Sequence, residues 1–461
     1  MEHSKPSLSD EDLGLFTDLY ELTMAQAYFK QGMVGPATFS LFIRNYPPHR
    51  GYFVFAGLED VLDYLAKLSF SSSSLAYLRS TGIFSEDFLD HLGNLRFTGG
   101  VRAMPEGRLF FADEPPMEVT APIIEAQLAE TFIVNQINLQ TLLATKASRC
   151  VWAARGRALT DFASRRTQGI DAALKMARCS YIAGFQSTSN VLAAQRYGIP
   201  PSGTMAHSFI SSFASETDAF RAYADTFPDR TVLLLDTYDT IDGAWRAVEV
   251  ARELEAAGHR LIAVRLDSGD FDSLSRRVRQ ILDGAGLEYV RILASGGLDE
   301  HELDRLSGGG APIDLFGVGT KAGVSADAPW SDMVYKLVCY DERPVMKLST
   351  DKVSLPGAKQ VFRVHDSSGQ WLRDVIGLQG ETIPDGAPLL AQVMANGRRT
   401  GAGPALREIR ELFRDDFPGL EDRFKALIDP PQFPVSLSPR LERLTAEVQG
   451  EILGVPPPAF T

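Results

Sequence analysis

The chain has 461 residues, enough for two or three domains or for one barrel with substantial additions. Apolar residues make up 44% and charged residues 23%, so an ordinary globular protein with a well-buried core is expected. The formal net charge of −13 argues against a general nucleic-acid binder, yet it leaves room for a local arginine cluster that grips a small anion.

The first residues, MEHSKPSLSDED, are polar and acidic and lack the apolar segment of a signal peptide. No run approaches the ~18–20 apolar residues that span a bilayer. Cys150, Cys179 and Cys339 are widely spaced and read as free thiols of a reducing compartment. A soluble, cytoplasmic protein without nucleic-acid or membrane partners is therefore expected.

Residues 17–31 predict a helix with Thr17 as N-cap, Tyr20, Met24, Ala27 and Tyr28 on one face, and Gly32 as its end. TFSLFI and GYFVFAG read as strands, and LEDVLDYLAKL as a short amphipathic helix. Residues 97–120 are hairpin-like, punctuated by Gly and Pro. From Pro122 an apolar-rich stretch is long enough for one broken helix or two, and it opens a strand–helix region placed at 122–325. MVYKLVCYDERPVMKLS predicts a hairpin around Asp341–Glu342, followed by a polar linker from 350 and a charged helix in ALREIRELFRDDF. Hairpin material on both sides of the strand–helix region predicts a flanking domain built from both ends: residues 1–121 and 326–400, with 401–461 as a C-terminal helical tail.

Within that region lies a ladder of four apolar runs: LLLDTYDT (233–240), IAVRLDSGD (262–270), RILASGG (291–297) and DLFGVGT (314–320). From Asp236 to Asp267 is 31 residues, to Ser295 a further 28, and to Gly317 another 22. This cadence predicts parallel strands alternating with helices, a fold that binds ligands at the carboxyl ends of its strands. Asp, Ser, Gly and Thr stand at those ends and suit sugar hydroxyls, metal-bound phosphate and close backbone approach.

Several residues there carry chemistry. His207, in PSGTMAHSFI, reads as a general base, a nucleophile or a structural hydrogen-bonder. Arg165 and Arg166 follow Phe162, a pattern that grips a planar anion between guanidinium and ring, or else pairs with Asp161 at a solvated helix start. Arg265 ends a strand just before Asp267 and Asp270, which suit ribose hydroxyls or Mg²⁺-bound water. GVGTKAG offers backbone N–H groups to a phosphate, but Gly323 falls one position too late for the dinucleotide fingerprint and no P-loop occurs. ASGG is either a tight turn or a place where backbone approaches a ligand.

From about Thr17 to about Arg363 the chain resembles the nicotinate phosphoribosyltransferase family. The resemblance is carried, in order, by TDLYELTMAQAYF, FAGLEDVLDYL, GTMAHSFI, VRLDSGD, ASGG, GVGT, KLS and LPG with KQVFR. It implies a type II phosphoribosyltransferase: an irregular α/β barrel with a flanking α/β sandwich-like domain, in a homodimer with shared active sites. The implied reaction makes nicotinate mononucleotide and pyrophosphate from nicotinate and phosphoribosyl diphosphate, with Mg²⁺, and couples it to ATP hydrolysis. His207 matches the histidine that ATP phosphorylates. Phe162 and Tyr20 match the aromatics that sandwich the pyridine, Tyr20 from the neighbouring subunit. Arg165, Thr204 and Arg265 match the nicotinate site, and Asp267, Gly296, Gly297, Gly319 and Thr320 the ribose and phosphate site. Lys347, Ser349, Lys352 and Lys359 resemble a basic segment that reaches phosphates.

The common sheet-type phosphoribosyltransferases are excluded, because the acids of DTYDT are separated and no Thr–Gly loop follows. Nicotinamide phosphoribosyltransferase, the nearest rival, places an aspartate where this chain has Ser189. Quinolinate phosphoribosyltransferase would need a richer basic cluster, and a catalytically dead phosphate-binding barrel would not need His207, Arg265 and Asp267 together.

Overall fold

Strand-forming runs from both ends of the chain meet in one antiparallel sheet. The computed structural model, which describes residues 9–349 and 352–455, divides into two units: Met1–Thr141 with Trp330–Thr461, and Leu142–Pro329. The boundary falls inside the helix Glu130–Ala153, later than the expected residue 122. The reason is packing: Ile123, Ile124, Leu128, Phe132, Ile133 and Ile137 all belong to the hydrophobic core of the first unit.

In the first unit a seven-stranded sheet runs in the order 343–344, 333–340, 36–43, 117–122, 100–103, 391–395 and 398–399. Pro36–Ile43 is an interior strand, pairing antiparallel with both neighbours and buried on both faces beyond its first residue. Phe39 stacks on Tyr335 across the sheet at 4.7 Å between ring centroids. The hairpin after Tyr340 turns at Asp341 and Glu342, both left-handed with φ of 48° and 62°, as a two-residue turn between twisted strands requires. The first helix is Leu19–Lys30 and its N-cap is Asp18, because the Thr17 hydroxyl is engaged by Glu21 instead.

The expected linker begins at 350 and 351, outside the described residues, and from 352 on the polar stretch is no linker. It contributes strands 359–365, 371–378 and 386–388 to a second, four-stranded sheet, completed by 435–437. Residues 401–455 are likewise part of this unit and no appended tail. Ile409, Phe413, Phe424, Phe433 and Leu441 are buried, and Asp416 pairs with Arg108 at 3.1 Å.

The second unit holds six parallel strands: β1 (Ala158–Asp161), β2 (Ser187–Thr188), β3 (Val232–Leu234), β4 (Ala263–Leu266), β5 (Arg291–Ser295) and β6 (Leu315–Val318). Their order is β2-β1-β6-β5-β4-β3, the cyclic order of an α/β barrel, with the consecutive strands β2 and β3 at the two edges. Helices 170–182, 240–256, 271–284 and 300–308 follow β1, β3, β4 and β5. The four ladder runs are β3 to β6, and their interiors are buried, as expected of strands covered on both faces. Among the described residues no helix is long and apolar enough to cross a membrane.

Candidate active site

Register brings the ladder's chemistry to one end of the parallel sheet. Leu234 lies opposite Arg265, Arg265 opposite Leu293, and Ser295 opposite Gly317. Arg265 is the hub. Its Nε donates to Ser295 Oγ at 2.8 Å, its Nη1 to Thr204 Oγ1 at 3.0 Å and the Met205 carbonyl at 3.2 Å, and its Nη2 to Asp267 Oδ1 at 2.5 Å. The guanidinium carbon stands 5.5 Å from the centroid of the Phe162 ring, a cation–π distance.

Asp267 gathers the second half of the cluster. Ser295 Oγ donates to its Oδ1 at 2.5 Å, while its Oδ2 lies 3.7 Å from His207 Nε2. Partial burial alone would raise its pKa. The Ser295 hydroxyl, Arg265 and His207 outweigh that and hold the carboxylate below its usual range. Asp267 is therefore an anion near neutral pH. The other ring nitrogen of His207, Nδ1, lies 3.1 Å from Thr237 Oγ1.

Asp236 ties the loop after β4 to the end of β3. Its Oδ2 accepts from the Asp267 backbone N–H at 3.1 Å and from Ser268 Oγ at 2.5 Å. Its Oδ1 is buried and has no hydrogen-bond partner among the described residues. No group of three or more His, Cys, Asp or Glu there is arranged to hold a metal ion by itself. An orphaned carboxylate oxygen next to Asp267 and Ser268 nonetheless fits Mg²⁺, a hard cation that takes one or two carboxylates and draws its other ligands from substrate phosphate and water.

Two glycines are there for steric reasons. Gly296 has φ of 101°, and a Cβ on it would sit 2.0 Å from the Asp267 carbonyl oxygen. A Cβ on Gly317 would fall 2.5 Å from the Phe162 ring, so this glycine makes the seat on which the ring lies. The Phe162 backbone is held by the same neighbouring strand, β6. Its N–H donates to the Val318 carbonyl at 2.8 Å, and the preceding Asp161 is fully buried. Asp161 accepts from the Ala163 N–H at 2.9 Å and from Thr188 Oγ1 at 2.7 Å, so it is a strut for the turn rather than the arginine partner.

Arg165 is exposed and lines a surface groove of about 420 Å³ with Ser164, Thr167, Ile170 and Leu192. Its neighbour Arg166 reaches Thr320, Nη1 to Oγ1 at 3.3 Å. Thr320 follows Gly319 at the end of β6, and Gly296–Gly297 follow β5 on the adjacent strand.

Tyr20 and the basic segment lie in the first unit. Tyr20 is about half exposed on the helix Leu19–Lys30, and burial together with Glu130, Glu21 and Asp18 raises its pKa. Lys347, Ser349 and Lys352 are exposed. Lys359 is different: it is buried, its Nζ donates to the Leu355 and Gly357 carbonyls at 3.0 and 2.7 Å, and it faces Glu118 at 3.6 Å. A buried ammonium with three partners serves the core of that unit, and Lys359 is not carried into the phosphate site.

Sequence reasoning set Arg166 beside Arg165 as half of an anion-gripping pair, but it gave Ser295, Asp236 and Thr237 no role of their own at the candidate site. Ser295 stood in view inside ASGG, but the glycines drew the reading. Asp236 and Thr237 end the LLLDTYDT rung, and strand-end position was the signal that could have found them.

Comparison with known proteins places most of the chain in one family. Three family models match: nicotinate phosphoribosyltransferase (NAPRTase) N-terminal domain at residues 15–138, the NAPRTase family at 157–336, and the nicotinate phosphoribosyltransferase C-terminal domain at 385–445. The chain is 50% identical over 431 residues to nicotinate phosphoribosyltransferase pncB2 of Mycobacterium tuberculosis, covering 93% of this chain and 92% of that protein. It is 39% identical over 466 residues to nicotinate phosphoribosyltransferase of Bacillus subtilis, covering 93% and 94%. The crystal structure of human nicotinic acid phosphoribosyltransferase superposes with a TM-score of 0.84 at 31% identity, covering 93% and 99%.

Proposed function

The chain belongs to the nicotinate phosphoribosyltransferase family and is an enzyme of that type; from this premise we propose that its reaction runs at the strand ends of the second unit, around Arg265 and Asp267. The observation that carries this reading is the joined cluster of Arg265, Ser295 and Asp267 beneath the Phe162 ring.

Nicotinate is a flat anion. Phe162 offers its ring face, Tyr20 of a second subunit covers the other, and Arg265 with Arg165 holds the carboxylate. Thr204 keeps the Arg265 fork in place. Phosphoribosyl diphosphate lies with its ribose hydroxyls at Asp267 and its phosphates over Gly296–Gly297 and Gly319–Thr320. Lys347, Ser349 and Lys352 supply the outer basic segment. The pyridine nitrogen attacks C1′, the C1′–O bond breaks and pyrophosphate leaves. The ionised Asp267 tolerates the positive charge that develops at the ribose. Asp236 and Asp267 would hold Mg²⁺, which would supply charge neutralisation for the departing diphosphate.

His207 takes a phosphoryl group from ATP in this reading, with ADP as leaving group and later hydrolysis to phosphate. Its Nδ1 faces Thr237, which leaves Nε2 as the nitrogen turned toward the substrate side. A phosphorylated ring adds charge and acceptor oxygens beside the diphosphate, which ties ATP use to substrate affinity. The enzyme works in the cytoplasm as a homodimer with shared sites.

Ser189 supports the acid over the amide as substrate. It is exposed beside Asp161 at the end of β2, and a carboxylate there would repel nicotinate. The test is mononucleotide formation from nicotinate, nicotinamide and quinolinate, each with and without ATP. Product from nicotinate alone, stimulated by ATP, is the expected result, and equal turnover of nicotinamide would overturn it. His207→Ala should lose the ATP stimulation while keeping a basal rate.

A further inference from the structure

The two glycine loops are coupled through buried charge that the reaction itself does not use. Lys146, on the helix Glu130–Ala153, is 1% exposed, and its Nζ donates both to Glu300 Oε2 and, at 2.6 Å, to Asp327 Oδ1. Glu300 opens the helix that follows Gly296–Gly297, and Asp327 lies just beyond the turn that follows Gly319–Thr320. Arg149, one turn along from Lys146, donates to Glu300 Oε1 at 3.1 Å from a side chain that is also 1% exposed.

A second tie spans the same two loops on their outer side. Lys321, next to Thr320, donates to Asp299 Oδ2 at 2.7 Å, while Asp299 Oδ1 caps its own helix by accepting from the Glu302 N–H at 3.0 Å. Adjacent acids, Asp299 and Glu300, therefore anchor the β5 loop to the β6 loop in two directions. Burying a charged group is costly unless its partners are well placed, and apolar packing would hold a helix at least as well. A charge-directed clamp does what packing does not: it sets the separation of two loops with hydrogen-bond geometry.

We propose that Lys146 and the Asp299–Lys321 pair are positioning residues that set the spacing between Gly296–Gly297 and Gly319–Thr320, so that both loops reach one phosphoribosyl diphosphate. The proposal rests on the reading of those loops as the phosphate site. None of the three side chains is assigned a contact with substrate.

The test is a double-mutant cycle of Asp299→Asn, Lys321→Met and both together, with Lys146→Met and Lys146→Arg alongside. Steady-state kinetics are measured separately against phosphoribosyl diphosphate and nicotinate, with Tm for each variant. Asparagine keeps the helix cap. For a partly exposed pair, each single variant should raise the KM for phosphoribosyl diphosphate about two- to fivefold, with the nicotinate KM and kcat little changed. The double variant should be no worse than the worse single, because the pair acts as a unit. Lys146→Met should raise the same KM further, and Lys146→Arg should restore most of it. If Lys146→Met does not fold, the outer cycle decides.

Additive effects, parallel changes in both KM values, or no change would overturn the proposal. An increase for Lys321→Met without one for Asp299→Asn would overturn it too, making Lys321 a direct phosphate ligand. Thr320→Val separates the two levels. If it raises the diphosphate KM while the clamp variants do nothing, only the clamp fails. If it leaves that KM unchanged, the phosphate reading fails and takes the clamp with it.

Discussion

Arg265 has five N–H donors, and four of them are engaged by Ser295, Thr204, Met205 and Asp267. One hydrogen on Nη2 remains, so in the proposed site Arg265 would offer nicotinate a single oriented contact and the exposed Arg165 would supply the rest of the grip. Arg265→Ala should raise the nicotinate requirement about tenfold to 150-fold, since a charge-assisted contact contributes ~1.5–3 kcal/mol. Steady-state kinetics at saturating phosphoribosyl diphosphate checks this, and an unchanged KM would remove Arg265 from the site. Glu21 makes a prediction of another kind. Burial first, then the charges of Glu130 and Asp18, push its pKa up to about 7 against the hydrogen bonds from Thr17 and Thr131. A carboxyl whose folded pKa is raised binds more protons folded than unfolded, so stability falls as pH rises from its unfolded value toward 7 and then levels off. Glu21→Gln should flatten that dependence and stabilise the protein by about 1–3 kcal/mol at pH 8, measured by denaturant unfolding across pH 5–8.

At the scale of elements, β6 and the turn after β1 form one unit of structure. The Phe162 ring lies where a Gly317 side chain would be, and Asp161 holds the turn from beneath. Gly317→Ala should therefore displace the ring and weaken pyridine binding, with a clear rise in nicotinate KM and little change for phosphoribosyl diphosphate. A core overpacked by one methyl also costs about 1–3 kcal/mol, visible as a lower Tm. If Tm falls while nicotinate KM stays the same, Phe162 is not the pyridine platform. The four ladder strands were legible because each is a short, mainly apolar run, broken inside only by Arg265 in β4. The strand Ser187–Thr188 has two residues and no periodicity, and the helix Pro439–Leu453 sits among prolines in a stretch read as a tail. Both exist because neighbours pair with them or cover them, and that information is not local.

At the scale of the whole molecule, the proposed homodimer makes Tyr20 and Arg165 contributions of different subunits to one site. A mixed dimer of Tyr20→Ala and Arg165→Ala subunits should recover up to about half of one wild-type site per dimer pair after random assembly, by simple mass-action pairing. Activity of the mixture no greater than that of either variant alone would refute sharing. The sequence by itself determined the class of fold and the family, because strand–helix cadence, strand-end chemistry and ordered motifs are all local in the chain. It also pointed to Arg265, Asp267, Phe162 and His207. Only the tertiary structure decided what those residues hold. Ser295, Asp236 and Thr237 cluster with Arg265, Asp267 and His207 in the candidate site because parallel register sets the ends of β3, β4 and β5 side by side, while the Lys359 ammonium is enclosed elsewhere by carbonyls and Glu118. Partners that lie tens of residues apart are chosen by packing and hydrogen-bond geometry, and no pattern along the chain carries that choice.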